Sequence, residues 1–188
     1  MAGLVPYLVP FEALRAFAGS KDPNACMKIE TMWKKELAEE PGVEGALRRL
    51  CMGDAAGGAS GVIDGAASVW ALEILCAHFG QKLPNGSVAN ADDDWLMRVV
   101  DPIFDAWGVG DFVKCKRLVY GNWPIKIPHA ESPRGGAIDA PELARALAVM
   151  RKGALPMFDR EIIAVIGEVR GWLEACVARN AGLVGFYY

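Results

Sequence analysis

The chain contains two short apolar runs, one near each end, and each is joined directly to a helical pattern. The runs are Gly3–Val9 (GLVPYLV) and Leu183–Tyr188 (LVGFYY). A single strand leaves its backbone N–H and C=O groups unpaired, and an isolated hairpin is only marginally stable in water. The two runs are therefore predicted to pair with each other, or with the Leu118–Ile127 region, in one small sheet. The helices predicted over Gly65–Phe79 and Asp159–Arg179 are expected to cover that sheet.

Two prolines set the beginning of this pattern. Pro6 has no N–H to donate, which predicts an edge strand or a residue 6 that faces away from a partner strand. Pro10 suits the first turn of a helix, where its missing N–H would be unpaired anyway. The first helix is accordingly predicted over Phe11–Ala18, and Gly19 ends it.

Helical periodicity and capping residues account for most of the remaining chain. Asp22 and Pro23 are typical of a helix start. Further predicted helices, each with its boundary signals, are Pro23–Glu39, Val43–Cys51, Gly65–Phe79, Asp94–Trp107, Asp139–Lys152 and Asp159–Arg179.

The segment Gly65–Phe79 is apolar almost all the way round, which predicts a central, buried helix. Asp64 is its expected cap, and Gly80 is expected to end it in a left-handed conformation. Pro102 is expected to kink the helix that ends at Trp107, because its ring clashes with the preceding turn. The alternative is two short helices that meet at Asp101-Pro102. The helix after Asp159 follows the 3.6-residue period most closely.

Strand signals are weaker in the middle of the chain. Phe112–Ile127 alternates around a Gly121-Asn122 turn and is predicted to be a strand region. His129–Ala137 is predicted to be a loop. The expected fold is α+β and predominantly helical, with a small sheet of two to four strands that includes both terminal runs and packs against helices. At 188 residues, one domain is expected.

Composition excludes several classes of protein. Mean hydropathy is +0.19, yet no run reaches the roughly 18 apolar residues that a membrane span needs. The segment Met1–Val9 lacks the basic region of a signal peptide, so a cytoplasmic location is expected. The net charge of −3 argues against a nucleic-acid partner. The apolar excess suggests a homodimer interface, and a monomer with an alanine-rich core is the alternative.

Five cysteines and two histidines do not suggest a metal site. The cysteines are odd in number and contain no C-x-x-C pair, so they are expected to be reduced, small apolar side chains. The glycine-rich stretch Gly53–Gly61 fits neither a phosphate-binding loop nor a nucleophile elbow. No cofactor and no metal site are therefore expected.

One charged set on a predicted helix needs a choice between two interpretations. Asp94, Arg98, Asp101 and Asp105 share a helical face by their spacing. Two carboxylates of this kind could hold a hard cation, but such sites usually recruit more oxygen ligands. A solvated charged face is the favoured interpretation.

The strongest candidate for a functional residue is Glu73, which lies within the most apolar helix. A carboxylate there is costly unless it is paired or lines a pocket. Glu73 is a candidate catalytic base and a candidate ligand-binding residue; the alternative is a buried partner for an arginine or a helix-end amine. His78 is expected to interact with the end of its own helix. His129, in a loop, is the second catalytic candidate.

Six tryptophans and the final aromatic residues offer a recognition surface, although core packing is the more common use of such side chains. Trp70 and Trp123 are the candidate ligand-binding aromatics beside Glu73. Two functions stay open. The first is a non-catalytic protein-interaction module. The second is a small enzyme or small-molecule-binding protein with a pocket beside the Gly65–Phe79 helix.

The sequence resembles a bacterial family of uncharacterised proteins that is described only as a domain of unknown function. The resemblance covers essentially the whole chain and rests on five segments: Gly3–Asp22, Trp70–Gly86, Asp94–Val109, Leu118–Pro128 and Trp172–Tyr188. It supports one domain and carries over no catalytic residue. The order of an opening strand, a helix and a final helix–strand pair is also similar to that of YfbM-like proteins. Some small families of this kind resemble immunity proteins of toxin systems, which makes an immunity- or antitoxin-like role the specific form of the first hypothesis.

Overall fold

The computed structural model describes residues 3–54, 65–150 and 159–188. Most of the glycine-rich stretch, the expected cap at Asp64 and the expected helix end at Lys152 lie outside these residues. The predicted fold class is confirmed, because the described chain is mostly helical and contains one small antiparallel sheet.

The helices are short except for two. In chain order they are α1 Phe11–Phe17, α2 Pro23–Met32, α3 Lys34–Glu39, α4 Val43–Met52, α5 Gly65–Phe79, α6 Asp93–Trp95, α7 Asp101–Ala106, α8 Cys115–Tyr120, α9 Ala140–Met150 and α10 Arg160–Ala178, with a π-helical turn at Leu96–Val100 between α6 and α7. The strands are β1 Leu4–Val9, β2 Gln81–Lys82, β3 Arg134–Ile138 and β4 Gly182–Tyr187.

The sheet has the order β2-β1-β4-β3, and every neighbouring pair is antiparallel. The two terminal runs therefore do pair with each other, with Leu4 opposite Tyr187 and Val9 opposite Gly182. Every residue of β4 is buried. The prediction that both runs share one sheet is confirmed.

Pro6 lies within β1, between β2 and β4, without breaking the ladder. Gly3 and Tyr188 form a hydrogen-bonded pair, in which each residue donates its N–H to the carbonyl of the other. Hydrogen-bonded and non-hydrogen-bonded pairs alternate along an antiparallel ladder. Val5, opposite Phe186, therefore bonds with β4, and Pro6, opposite Gly185, does not. The nitrogen of Pro6 thus faces away from β4, while its carbonyl accepts a hydrogen bond from the Leu83 amide at 2.9 Å. β1 is not an edge strand, so the first expectation for Pro6 is wrong. The alternative, in which residue 6 faces away from a partner strand, is the observed arrangement.

Helices cover both faces of the sheet and produce two separate cores. Residues 4 and 8 of β1 and residues 183 and 187 of β4 join the core that contains α7 to α10. Residues 7 and 9 of β1, with 184 and 186 of β4, join the core that contains α1 to α5. The two helices expected to cover the sheet, α5 and α10, lie on opposite faces.

The boundaries of α5 are those predicted, but the reason for Gly80 is different. Gly80 does not adopt the left-handed conformation expected of a helix cap. Instead, a Cβ atom at this position would collide with the carbonyl oxygen of Leu8 in β1. Gly80 is needed for the close approach of the chain to the sheet, where β2 begins.

Two of the predicted helices are interrupted. The predicted Pro23–Glu39 helix breaks at Trp33, whose backbone leaves the helical region (φ −107°, ψ 24°). The predicted helix that ends near Trp107 contains the π-helical turn Leu96–Val100, which α7 follows from Asp101, and the backbone of Val100 and Asp101 stays in the helical region. Near Pro102 the observed irregularity is this π-helical turn, not a junction of two separate helices. The break at Trp33 is not predicted by the sequence.

The strand predicted within Phe112–Ile127 is wrong, and so is the loop predicted over His129–Ala137. The first region contains α8, whose buried Cys115, Leu118 and Val119 follow helical spacing. Most of β3 lies in the predicted loop. Its Gly136 lets α8 pack closely, since a Cβ atom there would meet the carbonyl oxygen of Arg117.

The charged set on α6 to α7 is only partly a solvated face. Arg98 and Asp94 form an exposed ion pair at 2.7 Å. Asp101, in contrast, is 5% exposed and accepts hydrogen bonds from the backbone amides of Cys115 at 2.6 Å and Lys116 at 3.0 Å. The interpretation of Asp101 as solvated is wrong, because its carboxylate satisfies the first amides of α8.

The remaining composition-based expectations concern the cysteines and the membrane. All five thiols are free and buried, as expected of small apolar side chains. None of the helices in the described ranges combines the length and the apolar content that crossing a bilayer requires.

Candidate functional site

Glu73 lies on α5, and its partners are tyrosines. The Tyr7 hydroxyl donates to Glu73 Oε1 at 2.9 Å, and the Tyr188 hydroxyl donates to Oε2. Tyr7 is in β1 and Tyr188 directly follows β4. Because side chains alternate along a strand, both tyrosines face the side of the sheet on which α5 packs. The arginine or helix-end amine expected as a structural partner is not among these contacts.

The two phenols act as hydrogen-bond donors to Glu73. Burial raises the pKa of Tyr7 and of Tyr188 well above the ordinary value, and the nearby Glu73 carboxylate raises both further. Both hydroxyls therefore keep their protons at neutral pH. Burial also raises the pKa of the neighbouring Cys76 thiol. The two hydroxyls fix the orientation of the Glu73 carboxylate. Neither these hydroxyls nor the Cys76 thiol is suited to release a proton near pH 7.

A cavity of about 240 Å³ opens beside Glu73. Its aromatic walls are Tyr7, Trp33 and Trp70. The Trp70 ring stacks on Tyr188, with 4.8 Å between ring centroids and an interplanar angle of 29°. The carboxylate and the rings thus belong to one surface, which α5, both terminal runs and the α2–α3 junction build together.

Three more carboxylates line the same cavity. Glu36 and Glu39 are on α3, and Glu40 follows it; all three are exposed. Val43, Ile74 and Ala77 supply the apolar remainder of the lining. Among the described residues that line this cavity, none is basic. Four carboxylates therefore surround the cavity without a positively charged side chain in its wall.

Trp33 is anchored by a histidine. The Trp33 indole Nε1 donates to His78 Nδ1 at 3.3 Å, which requires an unprotonated Nδ1. Burial lowers the pKa of His78, in keeping with a neutral ring. The expected interaction of His78 with its own helix end is replaced by this contact, which holds a wall of the cavity.

The other two candidates, His129 and Trp123, lie at a second cavity of about 340 Å³. His129 is exposed there. The Trp123 ring packs on Phe186 with 5.3 Å between centroids, and Phe186 makes an edge contact with Tyr7 at 5.7 Å. The structure therefore brings Glu73 and Trp70 together and places His129 and Trp123 elsewhere, although a line of aromatic rings joins the two places.

The positive charge of Arg134, at the second cavity, is already engaged within the fold. Arg134 lines it and pairs with Asp93 at 3.1 Å. The Tyr120 hydroxyl donates to the same carboxylate at 2.5 Å and accepts from the Arg134 guanidinium. This network ties α6 and α8 to the edge strand β3, so its charges are balanced within the fold.

Several residues of the Glu73 site are not predicted as site residues from the sequence. Tyr7 and Tyr188 lie in the two predicted terminal strands, and the alternation along those strands is the signal that places both hydroxyls on one face. Trp33, Glu36 and Glu39 fall within the single helix predicted over Pro23–Glu39, and Glu40 follows it. Only the break at Trp33 turns them toward α5, and no local sequence signal marks it.

The fold and the cavity define a mostly helical α+β protein with an acidic, aromatic cavity beside a buried helix. The chain belongs to the family described as "Domain of unknown function (DUF7691)", which matches residues 1–188. The expectation of one uncharacterised family over the whole chain is confirmed. No curated protein and no solved structure is significantly similar to the chain.

Proposed function

We propose that the chain is a non-catalytic binding protein that takes a small ligand in the cavity beside α5. The observation that carries this proposal is the convergence of Glu73, Trp33 and Trp70 on one cavity of about 240 Å³. Ligand sites are typically concave and mainly apolar, with a few well-placed polar groups. The modest volume favours a small molecule or a single side chain over an extended substrate.

The geometry favours binding over catalysis. The Tyr7 and Tyr188 hydroxyls both donate to Glu73 and keep their protons, so neither is a ready acid or base. Nucleophilic catalysis needs a hydroxyl, thiol or amine beside a base. Within the described lining of this cavity, no serine, cysteine, lysine or histidine provides one.

We also propose a cytoplasmic location, which the sequence predicts, and a bacterial source, which the family resemblance implies. An interaction with a protein partner, including an immunity- or antitoxin-like role, stays a prediction.

The test is a thermal-shift screen of small metabolites on the full chain, followed by tryptophan fluorescence titration of each hit. A ligand that binds only the folded state raises the melting temperature by mass action. Ala77→Phe, which fills the cavity, should abolish the shifts. Ala148→Phe, on the exposed side of α9, should leave them unchanged. A screen without hits, or hits that stabilise both variants equally, would contradict the proposal.

A further inference from the structure

We propose that the ligand of the Glu73 cavity carries a positively charged organic ammonium group. This inference rests on the proposed function, because it assigns a chemical class to the ligand of the same cavity. It follows from three properties of the cavity: its uncompensated charge, its aromatic walls and the separation of its carboxylates.

The charge of the cavity is not neutralised by the protein. Elsewhere in the described chain, several carboxylates pair with arginine or lysine, as Glu30 does with Arg48 and Glu142 does with Arg117. The observed ion pairs of the described residues include none of the four glutamates that line this cavity. Three of these are exposed and stay hydrated. Glu73 is partly buried beside an apolar wall, where a cation gains more from its charge than it would in water.

Glu73 retains hydrogen-bonding capacity for a ligand. A carboxylate offers about four acceptor positions on its two oxygens. Tyr7 occupies one position on Oε1 and Tyr188 one on Oε2. The remaining positions can accept N–H donors from an ammonium group, and the two tyrosines keep the carboxylate from rotating away.

The aromatic walls suit a cation that is organic. Tryptophan gives the strongest cation–π attraction among the side chains, and Trp33 and Trp70 both line the cavity. Tyr7 adds a third ring. An anionic ligand would meet four like charges here. A neutral apolar ligand would use the rings and leave the carboxylates without a positively charged partner.

The arrangement does not suit a bare metal ion. In the part of the chain that the structure describes, no group of three or more aspartate, glutamate, histidine or cysteine side chains is placed to hold one. The four glutamates are therefore too dispersed to share a small cation. A larger cation with an apolar body, such as an alkylammonium ion, meets Glu73 and the rings together.

The test compares matched probes by tryptophan fluorescence and calorimetry on the full chain. Pentylammonium is measured against pentan-1-ol and pentanoate, and choline against its neutral isostere 3,3-dimethylbutan-1-ol. Each cation should bind at least about tenfold more tightly than its neutral counterpart, and pentanoate should not bind. N-acetyl-lysine methylamide tells whether the ammonium group of a protein side chain competes for the same cavity; free amines and lysine share the proposed chemistry.

Variants distinguish a loss of binding caused by a removed charge from a loss caused by impaired folding. Glu73→Gln should weaken cation binding at least about tenfold and leave the neutral probes unchanged, while Glu161→Gln on the opposite face should change neither. The exposed triple variant Glu36→Gln, Glu39→Gln and Glu40→Gln leaves the Glu73 hydrogen bonds intact and should weaken cation binding by a smaller factor. The binding of the cationic and the neutral probes is measured again at high salt, which should weaken the binding of the cations and leave that of the neutral probes unchanged.

The outcomes distinguish this inference from the proposed function. If the neutral isosteres bind as tightly as the cations, or if the glutamate variants leave cation affinity unchanged, the ammonium assignment is wrong and the binding function stands. The same holds if metabolite screening yields only anionic or neutral hits. If neither the probes nor the screened metabolites bind, the binding function itself fails.

Discussion

Two carboxylates, on opposite faces of the same sheet, show how differently one chain can use the same chemical group. Asp101 is on α7 and accepts hydrogen bonds from two backbone amides at the start of α8. Glu73 is on α5 and accepts hydrogen bonds from two tyrosine hydroxyls beside a cavity. The first group completes the backbone of a helix, whereas the second is held by side chains and still faces open space.

The difference lies in what would be lost with each group. Backbone amides cannot move away from a missing partner, so they would stay buried and unpaired without Asp101. Tyrosine hydroxyls beside a cavity can rotate or bind water when Glu73 is replaced. We therefore expect Asp101 to matter mainly for stability and Glu73 mainly for binding.

Replacement of Asp101 is expected to have the largest effect. Asp101→Ala leaves the Cys115 and Lys116 amides without an acceptor and should lower the free energy of unfolding by about 2–3 kcal/mol. The measurement is urea denaturation of the full chain. Asp105→Ala, on the same helix but in a more exposed pair with Lys114, should cost less than about 1 kcal/mol.

Asp101→Asn sharpens the same comparison. Burial raises the pKa of Asp101, which shows that its negative charge is costly at this position despite the two amide hydrogen bonds. The amide variant keeps an acceptor oxygen without that charge, so its cost should lie between those of Asp101→Ala and Asp105→Ala. Equal losses in all three variants would contradict the role assigned to Asp101.

The same contrast explains which parts of the molecule were predictable from the sequence. Terminal strands, the buried helix α5 and the long helix α10 follow from local periodicity and from the need to pair backbone groups. Glu73 stood out because a charged residue in an apolar helix has few explanations. Its tyrosine partners lie 66 and 115 residues away along the chain, and periodicity has no information about such contacts.

The incorrect predictions also have physical reasons. The strand β3 (RGGAI) has glycines at the positions where side chains normally reveal alternation, because α8 and Trp123 pack against its backbone. The region of α8 contains only six helical residues, too few for a clear period. Asp101 matched the spacing of a solvated face, and only the position of α8 in the fold makes it a buried cap.

Glu73→Gln is expected to have a smaller effect on stability. The amide keeps one acceptor oxygen for one tyrosine, so the free energy of unfolding should change by less than about 1 kcal/mol in urea. The conservative control is Tyr7→Phe, which removes one hydroxyl and should cost about 1 kcal/mol. A loss of 2 kcal/mol or more in Glu73→Gln would place Glu73 beside Asp101 as a structural carboxylate.

The pH at which Tyr7 and Tyr188 ionise provides a second test of the Glu73→Gln replacement. Burial and the Glu73 carboxylate both raise the pKa of Tyr7 and Tyr188. Because the unfolded phenols ionise near pH 10, folding loses stability as the pH rises above that value. In Glu73→Gln, ultraviolet titration should show both phenols ionising at lower pH than in the wild type, while still above the ordinary value because they stay buried.

The smallest expected effect concerns His78, the anchor of Trp33. Its pKa is lowered in the folded state by burial, so the unfolded chain binds the additional proton first as the pH falls. The stability from the neutral ring is full above about pH 6.5 and declines as the pH falls through the folded pKa. Between pH 7 and pH 5.5, the melting temperature should fall by no more than about 2 °C, and tryptophan fluorescence should change as Nδ1 stops accepting from Trp33.

The chain has two histidines, so one variant of each serves as the control. His78→Gln should remove both changes, and His129→Gln should remove neither. If His129→Gln removes them, the pH response belongs to the second cavity, and the contact between His78 and Trp33 does not govern the wall of the first.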